Sequence, residues 1–399
     1  MTERLYYCDK LYECEAKVLS CEKCDGGYAV KLNRTVIFPE SGGQLSDTGT
    51  IDSARILRAE EDGEDVIHIC DAPVEMGETV CVKADIEPRL DHTRQHTGEH
   101  ILSGLISKMF GAVNVGFHMA KDYCTIDIDS VLDKEQLLKL ELEANRAVMR
   151  NVKITTETVD GSELENISLR KVAKGLEGEV RIVYIGDVDS CTCCGTHCAY
   201  SGEVGAIAIT DSMKYKQGTR LWFACGERAI KASQSNAETV SKIANRFSTN
   251  RDEVFNAVAK QGDELNKTRR ELKKRTDMLL EYKAQELENA AEDVNGTKLT
   301  VANLEGMAMQ ELKTLAEKLP SGIKRAAVLF AQNDEALFYL VKTSGAVKQN
   351  AREICLVINA MLGGKGGGRE ELAQGSSSPV NNAEETAAQL SVYLKKSLQ

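Results

Sequence analysis

Over the first 88 residues, hydrophobic and polar positions alternate in short runs. Ala16–Ser20, Tyr28–Leu32, Arg34–Phe38, Val66–Cys70 and Thr79–Ala84 read as strands, and Gly and Asp punctuate them at Asp25-Gly26-Gly27 and Asp62-Gly63. This pattern predicts a small twisted β-barrel or meander. The period then changes. Between His92 and Met109, Ile101, Leu102, Leu105, Ile106 and Met109 recur at helical spacing, with Asp91 placed as N-cap and Gly111 as terminator. From there to about Phe223 the two periods alternate. Strands are predicted at Cys124–Ile128, Lys153–Thr158, Val180–Ile185, Val204–Thr210 and Thr219–Ala224, and helices at Asp133–Arg150 and Ser168–Ala173. Helices on one face of a mainly antiparallel sheet, an α+β layer, fit this order.

Glu227 to Glu292 carries no strand signal and no proline. Val258, Leu265, Leu272 and Leu279 fall seven apart, but their companion positions are Gln261, Thr268, Arg275 and Tyr282. One good heptad row with a poor partner row predicts a long helix or helical hairpin and supports a coiled coil only weakly. Gly296 opens a last unit. Its expected elements are a strand at Lys298–Ala302, a helix at Met309–Leu319, a hairpin of Ala326–Ala331 and Ala336–Val341, a helix to Met361, a glycine-rich loop and a helix at Ala383–Lys396. The predicted class is α+β. Its parts are an N-terminal β-barrel (1–88), an α+β domain (89–226), a long helical connector (227–293) and a small α/β C-terminal domain (294–399).

Composition narrows the setting. A chain of 399 residues, 42% hydrophobic and 28% charged, is ordinary for a globular protein of two or three domains. The opening MTERLYYCDK has no apolar signal core, and no later apolar run approaches the roughly 18 residues of a membrane span. With thirteen cysteines, an odd number, the expected setting is the reducing cytoplasm, with thiols free or metal-bound. A net charge of −11 argues against a general nucleic-acid coat, but a local basic patch can still bind RNA.

Three of the six histidines, His92, His96 and His100, lie at i, i+4 and i+8 and share one helix face. A dense cysteine run follows at Cys191-Thr192-Cys193-Cys194-Gly195-Thr196-His197-Cys198. His96-x-x-x-His100 with Cys193-x-x-x-His197 supplies three imidazoles and a thiolate, a set that zinc accepts. A competing reading takes His96-Thr97-Gly98-Glu99-His100 as the H-x-x-E-H of a cytosolic zinc metallopeptidase, with Glu99 activating water and a later glutamate as third ligand. A third is a non-catalytic RNA-binding protein with structural zinc. Cys21-x-x-Cys24, near Cys8 and Cys14, is a weaker metal candidate. Gly42 and Gly43 let backbone approach a ligand, and Gln44 after them can orient it. Gly363-Gly364-Lys365-Gly366-Gly367-Gly368-Arg369 can wrap an anionic group, although it is no P-loop. Arg269 and Arg270, within the basic middle of the long helical segment, form a candidate RNA-contacting stripe.

The order FPESGGQ, HTGEH, CCGTH, GGKGGGREELAQG resembles the editing half of alanyl-tRNA synthetase and the free-standing AlaX proteins in their long form, over nearly the whole chain. The resemblance implies a zinc-containing editing domain at 89–226 that hydrolyses tRNA(Ala) mischarged with serine, and sometimes glycine. It implies one Zn2+ per chain held by His96, His100, Cys193 and His197, and Gly42, Gly43 and Gln44 as the loop over the aminoacylated end. Thr35 would stand beside the seryl hydroxyl, and Lys365 and Arg369 would belong to an RNA-binding or dimerising C-terminal domain. The sequence departs from the family at Cys194, where a glycine is usual, and at Glu99, whose role as candidate general base is open. Hydrolytic editing is chemically sensible: an alanine pocket rejects serine only modestly, whereas a second site that binds the hydroxyl rejects alanine.

Overall fold

In the computed structural model, which describes residues 1–8, 10–172, 178–345, 347–381 and 383–398, the early strands pair into a ring. Glu13–Cys24, Gly27–Leu32, Asp65–Cys70, Ala54–Asp62, Gly49–Ile51 and Thr79–Ala84 follow one another in pairing order, and the last returns to the first to close a barrel. Alternation explains its core. Val18, Val30, Leu32, Ile51, Ile56, Val66, Val80 and Val82 point inward and are buried. Two of these strands, Gly49–Ile51 and Ala54–Asp62, were not expected, because the second is mostly charged on its outer face. Conversely, only Arg34–Thr35 of the expected strand Arg34–Phe38 is a strand. Val36, Ile37 and Phe38 are buried as an irregular segment whose amides bond side chains instead, Ile37 to Thr35 Oγ1 and Phe38 to Asp47 Oδ2.

The histidine helix, α1, runs Ile86–Phe110 and thus starts before Asp91. Pro88 sits in its first turn, where a missing N–H costs nothing. Asp91, expected as the cap, instead lies within the helix and accepts from Arg228 and Gln95. The early start escaped the periodicity because the buried positions of the first half are polar: Arg89, Thr93, Gln95, His96, Thr97, Glu99 and His100. Gly111, with φ of 64°, closes the helix as expected.

Helix α2, Lys134–Met149, carries a full capping box between Asp133 and Gln136 and packs with α1 over an antiparallel sheet. That sheet orders Ile207–Tyr215, Gly218–Cys225, Cys124–Ile128 and Asn114–Met119. A second, three-stranded sheet of Ile154–Asp160, Glu179–Ile185 and Asp189–Thr192 delivers the cysteine-rich turn. The helix expected at Ser168–Ala173 is absent over residues 168–172, Ala173 lies outside the described residues, and a 3-10 helix forms earlier, at Gly161–Asn166. Helix α3, Glu227–Arg246, follows, and residues Met1–Arg251 make one compact unit.

Asp252–Gln399 is the other unit, and it opens with α4, Val254–Asn289. Helices α5 (Met309–Lys318), α6 (Ala351–Leu362) and α7 (Ala383–Leu398) accompany a six-stranded mixed sheet. Its central strand Arg325–Gln332 is apolar on both faces. Ala326, Val328 and Phe330 face α6 and α7, while Ala327, Leu329 and Ala331 face α4 and α5. The glycine-rich stretch is not a loop: Lys365–Gly368 forms an edge strand against Leu372–Ser377. Glycines pair there because Cβ atoms on Gly366 and Gly368 would collide with the backbone of that partner. Among the described residues no helix is long and apolar enough to cross a membrane.

One α1 position tests the packing directly. A Cβ on Gly98 would fall well inside van der Waals contact of the buried Cys225 sulfur. Gly98→Ala should gain about 1 kcal/mol of helix propensity but lose roughly 1–3 kcal/mol to overpacking. A lower denaturant midpoint is the expected outcome, and an unchanged or higher midpoint would contradict this packing.

Candidate metal centre

His96 and His100 project from one face of α1 and are 2% and 3% exposed. The turn after strand Asp189–Thr192 brings Cys193 and His197 against them. One ligand atom from each of the four residues lies within 4.8 Å of the other three. Cys193 Sγ is 3.4 Å from both His96 Nε2 and His197 Nε2. His92, on the same helix face, does not join the group.

Each imidazole is also held from behind. His96 Nδ1 lies 2.8 Å from Gln44 Oε1, His100 Nδ1 lies 3.0 Å from Asp189 Oδ2, and His197 Nδ1 lies 3.4 Å from Thr97 Oγ1. A partner on Nδ1 fixes the ring and leaves Nε2 to face the centre, the arrangement that a hydrogen bond from behind imposes on a metal-binding imidazole. Electrostatics agrees. Burial alone would push the Cys193 thiol up, but the facing His96, His100 and His197 overcome it and hold its pKa well below the usual value. Burial and the neighbouring His100 push His197 down to about 3, so it is a neutral donor. One thiolate and three imidazole nitrogens are a donor set suited to zinc.

Asp189, Cys191 and His100 form a second compact group. It acts here as support. Arg170 donates to both oxygens of Asp189, at 2.5 and 3.0 Å, so the carboxylate is already neutralised. Burial opposes its ionisation, yet His100 and Arg170 hold its pKa down at about 2.

The loop before Gln44 explains its glycines. Gly42 and Gly43 have φ of 60° and 82° and form a two-residue turn closed by Ser41 and Gln44. Such a turn needs left-handed backbone at both central positions. It drops the Gln44 side chain, fully buried, between two elements: Oε1 faces His96 and accepts from the Thr196 amide, and Nε2 donates to Thr196 Oγ1 at 2.8 Å. Thr93 and Thr97 on α1 complete the bracing through Thr196 Oγ1 and the Cys198 amide. Gln44 therefore aims a ligand rather than facing solvent.

A cleft of about 370 Å³ opens on the cluster, walled by Gly42, His96, Glu99, His100, Phe117 and Cys193. Glu99 Oε1 accepts from Ser103 at 2.5 Å and Asn114 at 2.6 Å, and Oε2 lies 3.7 Å from His100 Nε2. Thr35 is elsewhere: buried in the barrel, its hydroxyl pairs with His68 Nε2 at 2.8 Å and accepts from the Ile37 amide. In the second unit, Arg269 and Arg270 are exposed on α4, and Lys365 and Arg369 are exposed at the glycine edge strand. Cys8, Cys14, Cys21 and Cys24 are free thiols and form no three-ligand group among the described residues.

Sequence comparison fits this geometry. Residues 180–222 match the threonyl and alanyl tRNA synthetase second additional domain, and residues 296–396 match the DHHA1 domain. The alanyl-tRNA editing protein AlaX-L of Pyrococcus horikoshii is 31% identical over 94% of this chain and 94% of its own length. The chain belongs to the AlaX-type alanyl-tRNA editing proteins. A second member, alanyl-tRNA editing protein Aarsd1 of Danio rerio, is 32% identical over 62% of this chain and 60% of its own. The alanine–tRNA ligase of Pyrococcus abyssi is 30% identical over 96% of this chain, which spans only 43% of that ligase. In this AlaX-type chain, sequence reasoning missed the residues that aim the ligands: Thr93, Thr97, Arg170, Asp189 and Thr196. Only the Thr93–Thr97 spacing, four apart beside His96 and His100, carried a signal.

Asp189→Asn keeps the shape but weakens the carboxylate acceptor that His100 Nδ1 and Arg170 share. Zinc affinity measured by chelator competition should fall about 10–100-fold. Unchanged affinity would make Asp189 irrelevant to the centre.

Proposed function

We propose that this protein is a trans-editing hydrolase that deacylates tRNA(Ala) mischarged chiefly with serine, and sometimes with glycine, in the cytoplasm. The observation that carries this reading is the convergence of the buried His96 and His100 with the half-buried Cys193 and His197, each imidazole anchored at Nδ1, in a chain of AlaX type. Zinc, one per chain, would be held by these four residues and would supply Lewis-acid polarisation and a lowered pKa of bound water.

The reaction adds water to the ester carbonyl and breaks the bond to the ribose oxygen, giving the free amino acid and a tRNA with its terminal hydroxyl restored. The chain must position the acyl group and move one proton from the water to the departing oxygen. Glu99 would take and pass on that proton, which is supported by Ser103 and Asn114 fixing one of its oxygens and leaving the other toward the cluster. Gly42, on the turn, leaves backbone open at the cleft mouth, where a Cβ would meet nothing within 4 Å and an acyl-ribose can approach. Thr35 would tune selectivity through the barrel wall rather than by contact, since His68 already occupies its hydroxyl.

The peptidase alternative needs a glutamate as third ligand, and Cys193 with His197 stands in that place. We assign functions to the four expected parts accordingly. The barrel (1–88) and editing domain (89–226) form the catalytic body, and the connector (227–293) and C-terminal domain (294–399) bind RNA through Arg269, Arg270, Lys365 and Arg369. The exposed row Val258, Leu265, Leu272 and Leu279 would serve a homodimer.

Incubation with Ser-tRNA(Ala), Ala-tRNA(Ala) and a casein-like peptide tests the reading. Only the first should be cleaved efficiently. Cleavage of the peptide would restore the peptidase, and cleavage of none would leave an RNA-binding protein with structural metal. Cys193→Ala should lower zinc content and deacylation together, because a thiolate ligand is lost; full zinc content would move the assignment to another cysteine.

Glu99→Gln preserves an acceptor for Ser103 and Asn114, so zinc should stay while the single-turnover rate falls about 10²-fold. A loss below about threefold would reduce Glu99 to a brace. Lys365→Ala with Arg369→Ala should raise KM for tRNA and flatten its salt dependence with kcat kept, since phosphate contacts supply much of such affinity. An unchanged KM would remove the edge strand from the RNA-binding surface.

A further inference from the structure

A second cleft of the first unit lies apart from the one that opens on Glu99. It has a volume of about 540 Å³ and lies between the N-terminal segment around Tyr7 and Lys10 and the far side of the Thr196–His197 turn. Its walls are unusually cationic for a chain of net charge −11. Arg89, Arg94, Lys10, Lys153 and Arg181 all contribute, and among the described residues Glu203 is the sole acidic one.

The partners of these cations decide what is left over. Arg89 is neutralised by the buried Asp47, and Lys10 faces Glu203 at 3.9 Å. Among the described residues Arg94 reaches a backbone carbonyl, that of Glu203 at 3.1 Å, and no carboxylate. Arg181 likewise donates to the carbonyls of Cys193 and Gly195, at 2.9 and 3.0 Å, and its guanidinium lies over the Tyr7 ring at 4.4 Å. Lys153 is exposed and meets no carboxylate among the described residues. Among the described residues, three positive charges, Arg94, Lys153 and Arg181, therefore converge on one concavity with no carboxylate in ion-pair contact with them. Arg181 also lines the smaller cleft, so a ligand held by the larger is adjacent to the metal cluster through a single turn of chain.

We propose that this cleft binds the sugar-phosphate backbone of the RNA strand that carries the ester, with Arg94, Lys153 and Arg181 facing its phosphates. This rests on the editing reading for the identity of the RNA, but the charge pattern stands by itself. Grooves that hold single-stranded nucleic acid combine cations that track the backbone with aromatic walls; the half-buried Tyr7, stacked with Arg181, lines this cleft, with Tyr6 buried behind it. An acidic peptide would satisfy the charges equally well. RNA is favoured because the Glu99 cleft, a turn away, is where the acyl group must lie. The division of labour is physical: one cleft grips the carrier, the other exposes the bond to be cut.

The test compares Lys153→Glu, which changes only an exposed side chain, and Arg94→Gln with Lys153→Gln, against wild type. Binding of uncharged tRNA(Ala) is followed across a salt series. In parallel, turnover of Ser-tRNA(Ala) is compared with that of a seryl ester of adenosine, which has no phosphodiester. The double variant should bind tRNA about tenfold more weakly, and its salt slope should drop by roughly 1.4–1.8 for two lost phosphate contacts. The ratio of tRNA to ester turnover at low concentration should fall about tenfold. Unchanged binding and slope would overturn the proposal. So would an equal loss on both substrates, which would make the residues supports of the ligand turn. Failure of the editing reading looks different: a wild type that cleaves neither ester, yet loses salt-dependent tRNA binding in these variants, discards the reaction and retains the cleft.

Discussion

Three imidazoles and a thiolate at the floor of a cleft converge only if every ring is aimed, and aiming is done at the nitrogens that point away from the centre. Gln44, Asp189 and Thr97 each hold one Nδ1. Without them, rings on a helix face would turn toward whatever donor lay nearest, and the four Nε2 and Sγ atoms would not stay within 4.8 Å. A buried polar network of this kind must be satisfied throughout, since each unpaired member would cost about 1–3 kcal/mol.

That demand organises the first unit. The barrel is tied to the α+β layer by its polar loops: the Gly42-Gly43 turn sends Gln44 across to His96 and Thr196, and Tyr7 donates to the Cys194 carbonyl. Arg181, from the three-stranded sheet, holds the carbonyls on either side of that residue. The ligand turn is thus clamped from the helix, the barrel and the sheet at once. The same clamp leaves one cleft on each side of the turn, which is why the placement of the acyl group and of its carrier can be argued separately.

Much of this was legible in the sequence where chemistry repeats at a fixed local spacing. His96 and His100 share a helix face, Cys193 and His197 share a turn, and paired glycines mark the tight turn before Gln44. What was not legible depends on distance along the chain: Gln44 and Thr196 meet across 152 residues, and Asp189 meets His100 across 89. Polar burial hid the start of α1, because its first half is packed with Thr, Gln and His rather than Leu or Ile. Apolar content misled in the opposite direction at Val36–Phe38, which is buried without strand pairing because side chains accept its amides. The glycine run at 363–368 suggested a loop. It is instead an edge strand, since the close approach of Leu372–Ser377 leaves no space for side chains at Gly366 and Gly368.

The donor set that zinc would take at His96, His100, Cys193 and His197 is the most direct point of test. X-ray absorption at the zinc edge on the purified protein should report one sulfur at about 2.3 Å and three nitrogens at about 2.0–2.1 Å. A shell with no sulfur, as the peptidase reading requires, or with two or more, which would bring in Cys191, Cys194 or Cys198, would contradict it.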